Sequence, residues 1–319
     1  MTCTIRQITA DEARQFWQQQ ADARIFLHPD VLESMCERVD WWLGEWNTHP
    51  ACLWPVCRAF GGSHRPPALS AYVGPLWHDS VGASKAHRWW TITAGVQDAM
   101  IAFLAERYDD FMFELPPGTA DIRVFQWFQA EHVATHEVFI QPRHTTCMDR
   151  PQRFDAGSIA AVFGRDRKRD VRVAMDHPYR ECSDASAEEI ADLYVQLLDG
   201  KANGEEGQRR RREILALADA VNRGFGSLLA CRDTDGTLAS YSLTMGKGGT
   251  VVAPVTASSE SARRHRLQAW VRLHAVARAF EQGAHCFDFT GGNSRIGAED
   301  MHRYGTLPAM YFRIRVARR

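Results

Sequence analysis

SLLACRDTDGTLASYSLTMGKGGTVVAPVTA, residues 227–257, alternates three runs of apolar and β-branched residues with two short polar breaks. The first break holds Asp235-Gly236 and the second GKGG at 246–249, so the segment reads as an antiparallel meander of three strands. Toward the C-terminus, 259–282 carries a helical apolar pattern that stops at Gly283. AHCFDFTGGN (284–293) follows as a buried strand running into a glycine-rich turn. GAEDMHRYG (297–305) then reads as a short helix and PAMYFRIRV (308–316) as a last strand. Toward the N-terminus, SIAAVFGRDRKRDVRVAM (158–175) reads as one helix with a basic face of Arg165, Lys168, Arg169 and Arg172. SAEEIADLYVQLLDG (186–200) is a helix with Ser186 as N-cap and Glu189 at the capping-box position. EEGQRRRREILALADAVNRG (205–224) is another, ending at Gly224.

The first half is less regular. IRQI (5–8) reads as a strand, and ADEARQFWQQQ (10–20) as a helix with Ala13, Phe16 and Trp17 on one face. Asp30 and Glu33 have capping-box spacing ahead of a helical run at 31–39. DWWLGEW and ACLWPVCRAF form a hairpin through NTHP, with Pro55 at an edge or bulge. Gly74-Pro75 marks a bend, 84–107 is a helix, and FMFEL (111–115) is a strand. DIRVFQWFQAEHV (121–133) fits neither period, and VFIQPRHTTCMD (138–149) is extended. DRPQRFD (149–155) is the best linker, which divides the chain into domains at 1–149 and 150–319.

The chain has 319 residues, 45% hydrophobic and 24% charged, enough core for two domains and too apolar for disorder. No run approaches the ~18 apolar residues of a membrane span, and the start lacks a signal peptide, so the cytosol is the expected compartment. Eight scattered cysteines with no CxxC, and histidines with no HExxH, predict neither disulfides nor a metal. Residues 1–150 hold 12 Lys+Arg against 18 Asp+Glu, and residues 151–319 hold 26 against 21. The basic half suits an anion, although 34 Arg against 4 Lys is a chain-wide bias. No pattern specifies an oligomeric state.

The order from the helices at 158–224 to the last strand resembles an acyltransferase domain of the GNAT type. RDRKRDVRVAMDHPYR (165–180), SLLACRDTDGTLASYSLTM (227–245), AHCFDFTGGN and the RYG at 303–305 resemble segments of its FemAB-like branch. IFLHPDVLESM (25–35), YVGPL (72–76), DIRVFQW and PRHTTCMD (142–149) are similar to that family's first domain. The resemblance implies an α+β fold of two tandem GNAT-like domains. Each is a mixed, mostly antiparallel sheet flanked by helices, and the first has no chemistry of its own. It also implies amide formation: transfer of an aminoacyl or acyl group to a small-molecule amine in a cleft between or within the domains. Aminoacyl-tRNA is the expected donor and co-substrate, acyl-CoA the alternative, and no cofactor is bound tightly. A catalytically inactive binding protein is a further alternative.

In such domains the acyl channel opens where two parallel strands splay. Pro254 has no N–H and breaks or bulges its strand there, exposing backbone groups at Val255 and Thr256; an ordinary edge strand is the alternative. Asp288, with Thr290, Gly291, Gly292 and Asn293 after it, is a candidate to orient or deprotonate the amine, or else an Asx-type cap. Tyr304 is a candidate proton donor to the leaving oxygen, or else core packing. The family's pyrophosphate loop falls on 264–269, where Leu267 replaces the first glycine. That leucine is expected to hinder backbone approach and so to disfavour CoA. Arg263, Arg264 and Arg266 remain as phosphate contacts, and Lys168, Arg169 and Arg172 as a phosphate path; for both sets a solvated helix face is the alternative. Tyr72, Asp121, Trp127 and Tyr241 are carried over as substrate contacts, with core burial the plainer reading of Trp127. The lysine of the peptidoglycan enzymes is replaced by Met301.

Overall fold

The computed structural model describes residues 2–21, 23–119, 121–197 and 204–319. The chain divides into two compact units, 1–143 with 310–319, and 144–309. The boundary lies six residues before the one read from the charged linker, and the last ten residues return to the first unit. The reason is that the extended run 136–149 is one continuous strand, which serves both units along its length.

In the first unit β1 (Cys3–Ile8) leads into α1 (Ala10–Gln18), closed by a capping box between Thr9 and Glu12. The helical run at 31–39 is shorter than its pattern suggested: α2 (Pro29–Leu32), then a 3-10 turn. His28, not Asp30, is its N-cap, and its ring accepts from the Asp30 N–H. β2 (Arg38–Trp46) and β3 (His49–Arg58) form the hairpin, and β4 (Leu76–Trp77) adds to β3. These make an antiparallel sheet in the order β1–β2–β3–β4. β4 covers only Cys52 and Leu53 of β3, so Pro55 lies beyond it at the sheet edge.

After α3 (Asp79–Gly82), α4 (Ala86–Arg107) packs Val96, Met100 and Leu104 into the core with Trp54, Phe111 and Phe113. β5 (Asp110–Leu115) follows. The ambiguous run at 121–133 is a helix, α5 (Arg123–Glu131), burying Val124, Phe125 and Phe128. The bend at Gly74 is set by close approach: a Cβ there would lie 2.2 Å from the Glu114 carbonyl oxygen. The half-buried Arg24 side chain donates to the Tyr72 and Pro75 carbonyls and holds this loop, desolvation drawing its pKa down to about 10.

β6 (His136–Asp149) carries the chain into the second unit. The helix read at 158–175 is two, α6 (Ala156–Val162) and α7 (Arg165–Met175). Gly164 breaks them, its N–H bonded to the Arg303 carbonyl at 2.7 Å. β7 (Arg180–Cys182) precedes α8 (Ala187–Gln196), whose Ser186–Glu189 capping box forms as its sequence indicates. The tail of that segment, 198–200, lies outside the described residues.

α9 (Glu205–Asn222) leads to the meander β8 (Gly226–Arg232), β9 (Leu238–Met245) and β10 (Gly249–Ser258). The long helix at 259–282 is broken into α10 (Glu260–Arg264) and α11 (Leu267–Glu281) by Arg266, which adopts a left-handed conformation at φ 61°. β11 (Ala284–Asp288), α12 (Arg295–His302) and β12 (Leu307–Arg318) complete the chain.

The unit's sheet runs β6–β11–β10–β9–β8–β7. Every pairing is antiparallel except β10–β11. α11 lies over it, burying Leu267, Val271, Val276 and Phe280 with Phe287, Phe289 and Tyr304. The end of β12 returns to pair with β5, from Phe312–Leu115 to Ala317–Asp110. No helix of the described residues is long and apolar enough to cross a membrane.

Candidate active site

The two central parallel strands part company. β10 pairs β11 from Gly249–Ala284 to Val252–Asp288 and no further, although β10 continues to Ser258. Two local causes act together. On the β9 side, Val252 pairs Met245 and Val255 pairs Leu243, so Ala253 and Pro254 bulge against the single residue Thr244. On the other side, the Phe289 N–H bonds the Thr146 carbonyl of β6 at 2.9 Å, drawing the chain after β11 away from β10. At the mouth of this opening the Thr290 hydroxyl donates to the Ala253 carbonyl at 3.1 Å.

Asp288 is 1% exposed. Its carboxylate accepts from the Thr290 N–H at 2.8 Å and from the Thr145 hydroxyl. This is the Asx-type arrangement, a carboxylate fixing a turn, rather than a base facing open space. Thr290 stands at φ 55° and Gly291 at φ 70°, conformations that this bracing holds. The Asn293 carbonyl oxygen accepts the His144 N–H at 2.8 Å and ties the turn to β6. A Cβ on Gly292 would lie 3.0 Å from the His144 carbonyl oxygen, so glycine permits this close packing. Val255 is buried, Pro254 and Thr256 are half-buried, and the Thr256 hydroxyl pairs with Ser242 across the strands at 3.1 Å.

Tyr304 adjoins this turn through Phe289, whose ring stacks on it at 5.7 Å, and meets Phe163 edge-on at 5.2 Å. The ring is 1% exposed, and the hydroxyl makes no hydrogen bond among the described residues. The Arg167 and Arg272 guanidiniums lie 5.0 and 5.2 Å from its centroid. Both arginines pair with Asp300, and Arg167 also pairs with the buried Asp170 at 2.6 Å. Sequence reading missed this cluster. The signal was present at Arg167, Asp170, Val171 and Ala174, the inward stripe of α7. Arg169 and Arg172, chosen from the same helix, are exposed instead, and Lys168 is half-buried. Met301, where the lysine is absent, is itself a core residue at 6% exposure, so no charge could stand there without desolvation.

Arg263 and Arg264 occupy the last turn of α10. Both are exposed, and Arg264 pairs with Glu260. Arg266 reaches Asp170 at 3.8 Å. The Tyr179 hydroxyl and the His265 ring nitrogen meet at 2.8 Å beside this junction, and His177 stacks on His265 at 3.7 Å. Leu267 reverses its expected effect. Its side chain is 2% exposed, turned into the core with Val271 and Phe280, and so does not shield the backbone from outside. Among the described residues the N–H groups of Leu267 and Gln268, at the start of the fifteen-residue α11, make no hydrogen bond. They are the open donors of a helix N-terminus.

Tyr241 is fully buried. Its hydroxyl bonds the Ile190 carbonyl at 3.0 Å and burial pushes its pKa up, so it is core rather than a substrate contact. Tyr72, Asp121 and Trp127 belong to the first unit. Tyr72 is buried at φ 58°, its N–H on Glu114 and its ring on Tyr311 at 5.1 Å. Trp127 is 43% exposed, contrary to its expected core burial, because α5 turns Val124, Phe125 and Phe128 inward instead. No cluster of three His, Cys, Asp or Glu able to hold a metal occurs among the described residues.

Residues 163–296 match the family model of the acetyltransferase (GNAT) domain. Among solved structures the chain is similar to FemX, with a TM-score of 0.63 and 11% identity over 97% of this chain and 96% of that one. It is similar to a tandem GNAT protein from the clavulanic acid biosynthesis pathway, with a TM-score of 0.56 and 14% identity over 99% and 98%. L-PGS from Bacillus licheniformis matches with a TM-score of 0.55 and 9% identity over 95% and 90%. No curated protein matches the sequence.

Proposed function

We propose that this chain, which carries a GNAT acetyltransferase domain at 163–296 within the α+β fold of the FemAB-like tandem GNAT branch, is an amide-forming N-acyltransferase whose donor is an acyl-CoA. The observation that carries the reading is the parting of β10 from β11 beyond Val252 and Asp288. An acyl group enters at that point, and the backbone N–H groups of β10 beyond Pro254, on the side that β11 no longer pairs, are assigned to its carbonyl. The acceptor's amine nitrogen attacks the thioester carbon, the carbon–sulfur bond breaks, and the leaving thiolate takes a proton from the Tyr304 hydroxyl. The amine's surplus proton passes to solvent, and solvent returns a proton to the Tyr304 phenolate. Asp288 and Asn293 hold the turn that shapes the opening.

The donor's phosphates are assigned to the Leu267 and Gln268 N–H groups with Arg263, Arg264 and Arg266 around them. Leu267 was the objection to CoA, and its burial removes that objection. A second reading, transfer from aminoacyl-tRNA, is favoured by the fold likeness to FemX along the whole chain.

Incubation with mixed acyl-CoAs and, separately, with mixed aminoacyl-tRNAs tests both, with donor turnover read by mass. Turnover of an acyl-CoA, with a donor KM raised about tenfold by Arg263→Ala, supports the first reading. Ribonuclease-sensitive turnover of aminoacyl-tRNA alone supports the second. Turnover of neither, with Tyr304→Phe and the parent chain indistinguishable, refutes the transferase proposal.

A further inference from the structure

The first unit, expected to carry no chemistry of its own, has a groove of ≈ 270 Å³ between α4, β4 and residues 115–119 with Asp121. At about 30 Å³ per water it would hold about nine waters, the size of a small ring compound. Trp89, Trp90, Thr93, Ala94 and Gln97 line it from one face of α4, since three- and four-residue steps bring side chains onto one side of a helix. Trp77 comes from β4, while Pro116 and Asp121 follow β5. Three indoles at one small groove offer flat apolar faces.

Most of the polar side chains here are occupied by the protein itself. The Thr93 hydroxyl donates to the Trp89 carbonyl at 2.9 Å and Thr119 to the Pro116 carbonyl at 2.8 Å. Asp121 accepts from the Trp90 indole at 3.1 Å and from both arms of Arg123, and the arginine holds its carboxyl well below the usual range. Its charge is therefore already neutralised. Gln97 differs. It is 8% exposed, lines the groove, and makes no hydrogen bond among the described residues. Its side chain is held by the packing of α4 while its amide stays open to the groove, where a ligand can pair with both its donor and its acceptor.

We propose that this groove is a binding site for a small neutral ring compound bearing an amide edge, with its ring against the tryptophans and its –CO–NH– or –CO–NH2 group paired to the Gln97 amide. A carboxamide offers one donor and one acceptor side by side, and an amide edge is its complement. The paired state of Asp121 leaves no free charge to select an ionic ligand. The proposal is independent of the acyl chemistry assigned to the second unit.

Titration of the full-length protein with nicotinamide, a flat aromatic amide, and with 2-pyrrolidone, a saturated lactam, tests it by tryptophan fluorescence. Saturable quenching by either supports the site, and the difference between them says whether the walls select an aromatic or a saturated ring. Gln97→Leu keeps the side-chain volume and removes the amide. It is expected to weaken binding at least about tenfold while leaving the melting temperature of the ligand-free protein nearly unchanged, because the amide faces the groove and carries no bond within the fold among the described residues. A purely structural glutamine would lower the melting temperature instead. Absence of saturable quenching with both probes, or equal affinity in the parent and Gln97→Leu, overturns the proposal. Trp90→Phe, in an exposed position, serves as a second variant and is expected to reduce the quenching amplitude.

Discussion

Removal of the Asp288 carboxylate separates a turn-bracing role from a catalytic one. Asp288 and Thr145 are each 1% exposed, and the carboxylate accepts from the Thr145 hydroxyl and the Thr290 N–H. Hydrogen bonds to a charged group contribute about 1.5–3 kcal/mol each, and a buried donor left unpaired costs about 1–3 kcal/mol. The Thr290 N–H is half-buried and recovers part of its bond from water, so Asp288→Ala is expected to cost about 3–5 kcal/mol. Asp288→Asn keeps an acceptor oxygen, and neutral hydrogen bonds are about half as strong as charge-assisted ones, so its cost is about 1–2 kcal/mol. Calorimetry of the full chain reads the stability. Hydrogen exchange of the 284–293 segment reads the turn directly, where the Thr290 amide is expected to lose protection in both variants. Turnover of Asp288→Asn is expected to stay within about threefold of the parent, because a turn brace touches no reacting atom. A loss of Asp288→Asn turnover of about a hundredfold or more, the range of general acid–base catalysis, with the amide still protected, would refute the bracing account. So would an Asp288→Ala variant destabilised by less than about 1 kcal/mol.

Leu267→Ala is expected to destabilise the protein by about 2–5 kcal/mol through a core cavity, with donor KM unchanged. A lowered KM at full stability would mean that the leucine does obstruct the phosphate site. Gly305 stands at φ 75°, with the Val162 carbonyl 2.6 Å from where a Cβ would sit. Gly305→Ala is therefore expected to cost about 2–4 kcal/mol in thermal unfolding, from left-handed strain plus overlap with backbone. The Arg232 guanidinium, then the Ser186 N–H, hold the Glu189 carboxyl at about 2, below its ordinary 4.5. A depressed carboxylate stabilises above its unfolded pKa, so this contribution is complete at pH 7 and fades as pH falls from 4.5 toward 2. Its side chain is 39% exposed, so screening limits the effect to about 1 kcal/mol. Glu189→Gln is expected to melt below the parent at pH 7, with the gap narrowing as pH falls from 4.5 toward 2; a gap independent of pH would rule this out.

Much of the second unit is written in local pattern. The meander, the Ser186–Glu189 cap and the stop at Gly283 follow from turn chemistry and periodicity, which depend on neighbours a few residues away. The breaks at Gly164 and Arg266 escaped that reading. A helical apolar pattern runs through both, and what interrupts it at Gly164 is a backbone hydrogen bond to Arg303, far along the chain. The Arg167–Asp300–Arg272 cluster was hidden for the same reason. The sequence shows a basic helix but not which arginine turns inward.

Residue types alone determined that Pro254 could give no N–H to a ladder, which left two choices, a break or bulge in its strand or an edge position. They also determined that FDFTGG would leave its strand in a glycine-bearing turn. Only tertiary structure decided that the two events coincide at Val252 and Asp288 and so open a gap between parallel strands. Tertiary structure likewise settled that Asp288 is spent on Thr290 and Thr145, that Leu267 points into the core, and that the Gln97 amide, with no hydrogen-bond partner among the described residues, faces a groove beside three tryptophans. Each of these depends on which side of an element faces a partner distant in sequence, a fact that local propensity does not contain.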